Sequence, residues 1–132
     1  MSRQNVELAR EALEAFIRGD TAQALSAAHP DVVTFRAPPL PDSQTYHGRA
    51  GVLQAWTDWT AQFGDFEMSA GESVDAGDRV VVEILQRGVG QVSGATVEAR
   101  FWLVYTIADG QIVRLDIFQN EGEALEAAGL RP

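Results

Sequence analysis

Apolar positions recur with a helical period near the start of the chain. Val6, Ala9, Leu13, Phe16 and Ile17 share one face of residues 3–18, with Glu7, Arg10, Glu11, Glu14 and Arg18 elsewhere. Gly19 suits the left-handed residue that ends such a helix. Asp20, with Gln23 three residues on, opens a shorter helix whose apolar side is Ala24, Leu25 and Ala28 and which His29-Pro30 should stop. The pattern then turns β-rich over 32–36. Three prolines in 37–42 exclude regular structure there and predict a loop. Gly48 opens a third helix of about fourteen residues with Val52, Trp56, Trp59 and Phe63 as its apolar stripe.

Beyond Gly64 the period shortens to two. Phe66, Met68 and Ala70 alternate with polar residues, VVVEILQ follows at 80–86, and a glycine-rich connection spans 88–94. A long strand is predicted over 96–107. Asp109-Gly110 signals a hairpin, and the next strand runs from Ile112 to Phe118. A helix over 123–128, ended by Gly129, closes the pattern. Helices early and an antiparallel meander late predict an α+β fold, one curved antiparallel sheet with helices packed on its concave face.

Strand parity divides the sheet into faces. Ala99, Phe101, Leu103, Tyr105 and Ile107 form one row, to be joined by Val113, Leu115 and Ile117. These rows should face the helices, because burying unpaired charge costs several kcal/mol. The opposite row mixes Glu98, Arg100, Arg114 and Asp116 with Trp102, Val104, Ile112 and Phe118. That much apolar area on an outer face makes it a candidate homodimer interface. The short strand 32–36 is ambiguous, since either Val33 and Phe35 or their neighbours could face inward.

Composition narrows the chemistry. The 132 residues carry 19 acidic and 10 basic side chains, a net charge of −9, with no cysteine. Every basic residue is arginine. Without Cys there is no disulfide, thiolate nucleophile or Cys-ligated metal; without Lys there is no Schiff base or phosphate-loop lysine. The acidic balance argues against nucleic acid and anionic membranes as partners. The length predicts one domain over 1–132. With no signal-like apolar start, the expected location is cytoplasmic.

The ordered motifs A15-F-I-R-G-D20, H29-P-D-V-V33, Y46-H-G-R49, A108-D-G-Q-I-V-R114 and E123-A-L-E-A-A-G-L130 span nearly the whole chain. In these the sequence resembles the SnoaL-like branch of the nuclear transport factor two-like (NTF2-like) superfamily, which includes ketosteroid isomerases, limonene epoxide hydrolases and polyketide cyclases. The resemblance implies a cone-like α+β roll with a deep pocket between sheet and helices, and often dimers through the outer sheet face. It also exposes departures. The isomerase base, tyrosine and aspartic acid would fall on Arg36, Ala12 and Leu103, and the epoxide hydrolase set near Ile84, Gln86 and Ile117. Neither set of catalytic groups is present. A cyclase-type carboxylate has its nearest candidate in Asp116, whose parity points outward.

The inward polar candidates that remain are Arg36, Gln86, Tyr105, Gln119 and His29, among Phe16, Trp56, Trp59, Phe63 and Phe101. Arg36 could orient a ligand carboxylate through its guanidinium or pair with a protein carboxylate. His29 and His47 sit beside helix boundaries, without a spacing that suits a metal. No cofactor or metal is implied, since the glycines of 88–94 open no helix. Three functions follow as alternatives. One is a small-molecule binding protein with an apolar, aromatic-lined pocket, for a hydrophobic or aromatic-acid ligand. The second is an isomerase, cyclase or hydratase using Tyr105, His29 or Arg36. The third is a homodimeric association module with a filled core.

Overall fold

A computed structural model describes residues 2–36 and 45–130, with Ser2 as backbone only; the proline-rich loop expected over 37–42 lies outside the described residues. The elements are α1 (Ser2–Ile17), α2 (Thr21–Ser26), β1 (Ala28–Arg36), β2 (Thr45–His47), α3 (Gly48–Thr60), β3 (Phe63–Asp75), β4 (Arg79–Gly90), β5 (Thr96–Ala108), β6 (Gln111–Phe118) and α4 (Glu121–Ala127). The six strands form one curved sheet in the order β2-β1-β6-β5-β4-β3. It is antiparallel except where β1 runs parallel to β6. The α+β architecture expected from the sequence is the one observed.

Local chemistry sets most boundaries. Asp20 Oδ1 accepts from the Gln23 backbone N–H at 3.1 Å and caps α2. Asp109 and Gly110 both take positive φ (51° and 73°), as the two-residue turn joining β5 to β6 requires. At Gly51 a Cβ would lie 3.1 Å from the Tyr46 backbone, so glycine lets α3 settle closely onto β2. Arg10 ties α1 to a bulge in β3, donating to Gly71 O at 2.8 Å and Ser73 Oγ at 2.6 Å.

Several boundaries differ from the sequence pattern. The second helix stops at Ser26, so His29 and Pro30 lie in β1. Phe63 begins β3 instead of ending α3, and the glycine-rich stretch is partly strand, because β4 continues to Gly90. The three-residue β2 was too short to register as a period.

Two differences concern the faces. On β6 the inward row is Ile112, Leu115 and Ile117. The pairing shifts between Thr106/Arg114 and Ile107/Ile112, leaving Val113 as the extra residue of a β-bulge. That bulge reverses the parity that placed Val113 inside and Ile112 outside. On the opposite face, Val81 and Val104 are 2 % and 1 % exposed because α4 covers them with Ala124 and Ala128, and Trp102 and Phe118 pack against the same cluster. Much of the apolar area expected to form a subunit interface is thus covered within the chain, and one helix lies on the outer face instead of all packing on the concave one.

The main core lies on the concave side. Phe101, Leu103, Tyr105 and Ile107 of β5 meet Ala9, Ala12 and Leu13 of α1, as their parity predicted. No helix among the described residues is long and apolar enough to cross a membrane.

Candidate functional site: a cavity under three helices

A cavity of about 100 Å³ lies between the concave face and α1, α2 and α3. It is of the same order as an engineered protein cavity of roughly 150 Å³ that binds benzene. Alternation in β1 directs Val32, Thr34 and Arg36 into it and leaves Val33 and Phe35 half-buried on the other side. The ambiguity of 32–36 is settled in favour of Arg36 inward.

Arg36 is 2 % exposed. Its Nη2 donates to the Ala55 carbonyl of α3 at 2.5 Å. The guanidinium carbon sits 5.2 Å from the Trp59 ring centroid and 5.5 Å from that of Tyr46, both within cation–π range. Trp59 is fixed in turn: its Nε1 donates to Gln86 Oε1 at 2.6 Å, and its ring meets Phe101 edge-on at 5.3 Å. Phe16 and Trp56 pair at 5.3 Å on the helix side of the cavity.

Two further polar groups line the cavity. Thr34 is 1 % exposed, and its Oγ1 has no hydrogen-bond partner among the described residues. Tyr105 is 4 % exposed, and its hydroxyl likewise makes no hydrogen bond among them. Burial raises the Tyr105 phenol well above its ordinary pKa of 10.0, so it is neutral through the physiological range. An unsatisfied buried hydroxyl costs about 1–3 kcal/mol. Thr34 and Tyr105 share one row of the sheet, since both register against Leu115 of β6.

Of the residues expected at a site, Phe16, Arg36, Trp56, Trp59, Phe101 and Tyr105 line this cavity. The other four do not. Gln86 is buried but engaged in holding Trp59. Phe63, at the start of β3, stacks on Trp59 and Phe66 at 5.9 and 5.6 Å in the layer outside. His29 belongs to the outward row of β1, where its Nδ1 accepts from the Asp31 backbone N–H at 2.9 Å. Gln119 is exposed beyond the end of β6. Asp116 lies outside as its parity indicated, and Arg114 Nη2 pairs with it at 2.9 Å. Thr34 went unnamed in the sequence, although its parity with Arg36 placed the two on one side.

Five of the six positions where the resemblance would put catalytic groups, Ala12, Arg36, Ile84, Leu103 and Ile117, line the cavity, and the sixth, Gln86, does not. Those five surround the cavity with hydrocarbon apart from Arg36. No lining residue among those described is a carboxylate or an imidazole, and no group of three or more His, Asp or Glu among the described residues could hold a metal.

A SnoaL-like domain family model matches residues 9–115. Solved structures share the architecture. An NTF2-like protein of unknown function from Burkholderia pseudomallei K96243 is 25% identical, with 93% of this chain and 95% of that chain covered and a TM-score of 0.76. TerC co-crystallised with polyporic acid is 23% identical, covering 96% and 98%, at 0.77. An NTF2-like protein from Burkholderia thailandensis E264 is 19% identical, covering 96% and 97%, at 0.80. No curated protein matches the sequence. At these identities the last two likenesses speak to fold alone.

Proposed function

The chain belongs to the SnoaL-like family, and from that premise we propose that it binds a small, mainly hydrophobic ring compound, of the aromatic-acid type, in the cavity beneath α1, α2 and α3. The observation that carries this reading is the lining. It is apolar and aromatic, with Arg36 its only charged member among the described residues. A guanidinium held between two rings and bonded to Ala55 O is pre-oriented to meet a carboxylate. General acid–base chemistry requires a group that titrates near neutral pH within reach of the substrate, and Tyr105 is driven away from that range. The room inside the cavity counts against an association module with a filled core. TerC, a neighbour in fold, was co-crystallised with polyporic acid, which accords with a small-molecule ligand. A cytoplasmic homodimer fits the absence of cysteine and the apolar residues left open on the outer face, such as Val74 and Leu85.

The test is native mass spectrometry of freshly purified protein followed by a thermal-shift screen of aromatic acids, their neutral analogues and terpenoid-like compounds. One ring compound per chain is expected, with Arg36→Met abolishing the response to acids and sparing that to neutral rings. Equal responses of wild type and variant to acids would remove Arg36 from the site. The absence of any stabilising compound would defeat the binding role. Sedimentation showing a monomer at high concentration would remove the homodimer.

A further inference from the structure

The binding role proposed above leaves two features of the cavity without a use: the hydroxyls of Thr34 and Tyr105. Neither has a hydrogen-bond partner among the described residues, both belong to residues at least 95 % buried, and both residues line the same cavity. Their places in the sheet relate them. Thr34 pairs with Leu115 on one side of β6 and Leu115 pairs with Tyr105 on the other, so the two lie on one row, two strands apart. That separation is about 9.5 Å between backbones. The residue between them, Leu115, is hydrocarbon and lines the cavity too. Arg36 occupies the next inward position along β1, about 7 Å from Thr34.

Buried polar groups are as a rule satisfied, and hydroxyls that are left unmet where a cavity opens are groups a ligand can satisfy. We infer that Thr34 and Tyr105 form a hydroxyl pair that recognises a hydrogen-bonding oxygen, a ring hydroxyl or ring carbonyl, on the bound compound over Leu115. The site then has two polar poles separated by hydrocarbon: Arg36 at one, the hydroxyl pair at the other. The inference rests on the binding role and narrows it to an oxygenated ring. Apolar pockets discriminate weakly between isosteres, whereas a site with its own buried hydrogen-bonding groups rejects the analogue that leaves them unpaired.

Calorimetric titration with toluene and 4-methylphenol, which differ by one hydroxyl, tests this on wild type, Thr34→Val, Thr34→Ser and Tyr105→Phe. Wild type should bind 4-methylphenol at least tenfold more tightly than toluene. Thr34→Val and Tyr105→Phe should each reduce that ratio about tenfold while leaving toluene affinity in place, and Thr34→Ser, which keeps the hydroxyl, should retain it. The ligand-free Thr34→Val protein should melt no lower than wild type, because the variant removes an unmet buried hydroxyl. Toluene bound as tightly as 4-methylphenol in wild type, or one ratio across all four proteins, overturns the inference and leaves the binding role standing. Failure of both probes to bind overturns the two together.

Discussion

Trp59 lines the cavity and touches Gln86, Phe101 and Arg36, and replacing it with Phe removes its hydrogen-bond donor. The ring stays, against Phe101 and near Arg36. The donor to Gln86 Oε1 is lost, and Gln86 is only 4 % exposed. Leaving that buried acceptor unmet costs about 1–3 kcal/mol, and the weaker cation–π contact of Phe adds a fraction of the roughly 0.5–1 kcal/mol such contacts contribute. Trp59→Phe should therefore destabilise the protein by about 2–3 kcal/mol, or roughly 8–12 °C in Tm for a chain of this size. Gln86→Leu alone should cost about 1 kcal/mol by stranding the indole N–H. The double variant removes both partners, so its loss should fall short of the sum by about 1 kcal/mol. Urea unfolding of the four proteins measures this cycle. Additivity within about 0.3 kcal/mol would refute the claim that Gln86 serves to hold Trp59.

Tyr105 gives the stability a pH dependence of known sign. Its phenol is raised in the folded state above the 10.0 of an open chain, so above pH 10 the unfolded state binds fewer protons than the folded one. Stability should be level in this respect below pH 10 and then fall by up to about 1.4 kcal/mol per pH unit. In urea titrations from pH 9 to 11, Tyr105→Phe should show a correspondingly flatter profile. Equal slopes would mean that the phenol is solvated. On the outer face, Asn120 Oδ1 accepts from the Glu123 backbone N–H at 3.1 Å, so Asn120→Ala should cost about 1 kcal/mol by loss of the cap. Faster amide exchange should be confined to α4 and the β5–β6 surface beneath it, with unchanged exchange in α4 as the contrary result.

The long strand β5 was legible because its parity is unbroken: Phe101, Leu103, Tyr105 and Ile107 read inward in the sequence and point inward in the fold. On the neighbouring strand Leu115 and Ile117 also read correctly, but the bulged residue Val113 turns Ile112 inward against the parity of the residues after it, and an inserted residue leaves no mark on a two-residue period. The apolar residues Trp102, Val104 and Phe118 read as a candidate subunit interface, whereas α4 of the same chain buries Val104 and packs against the other two. A seven-residue helix beyond the last strand does not announce from its sequence which side of a sheet it will take. At the cavity the large aromatic residues were recognisable by type. Gln86 and Gln119 were both inward candidates, and only the fold separates a buried bond to Trp59 from an exposed strand end. Thr34 illustrates the remaining gap. A threonine in a β-rich strand is ordinary, and it becomes informative only once its hydroxyl is seen to lack a partner where the cavity opens.

Filling the cavity tests the central claim most directly. Ala12 of α1 is 5 % exposed and lines the space opposite the sheet, so Ala12→Leu adds three carbons to a volume of about 100 Å³. The measurement is the thermal shift of wild type and Ala12→Leu with the tightest ring compound from the screen, at 100 times its wild-type Kd. Wild type should gain about 2.7 kcal/mol, roughly 10 °C. The variant should melt as high as ligand-free wild type and gain nothing. A full ligand-induced shift in a folded Ala12→Leu protein would place the ligand elsewhere and contradict the account.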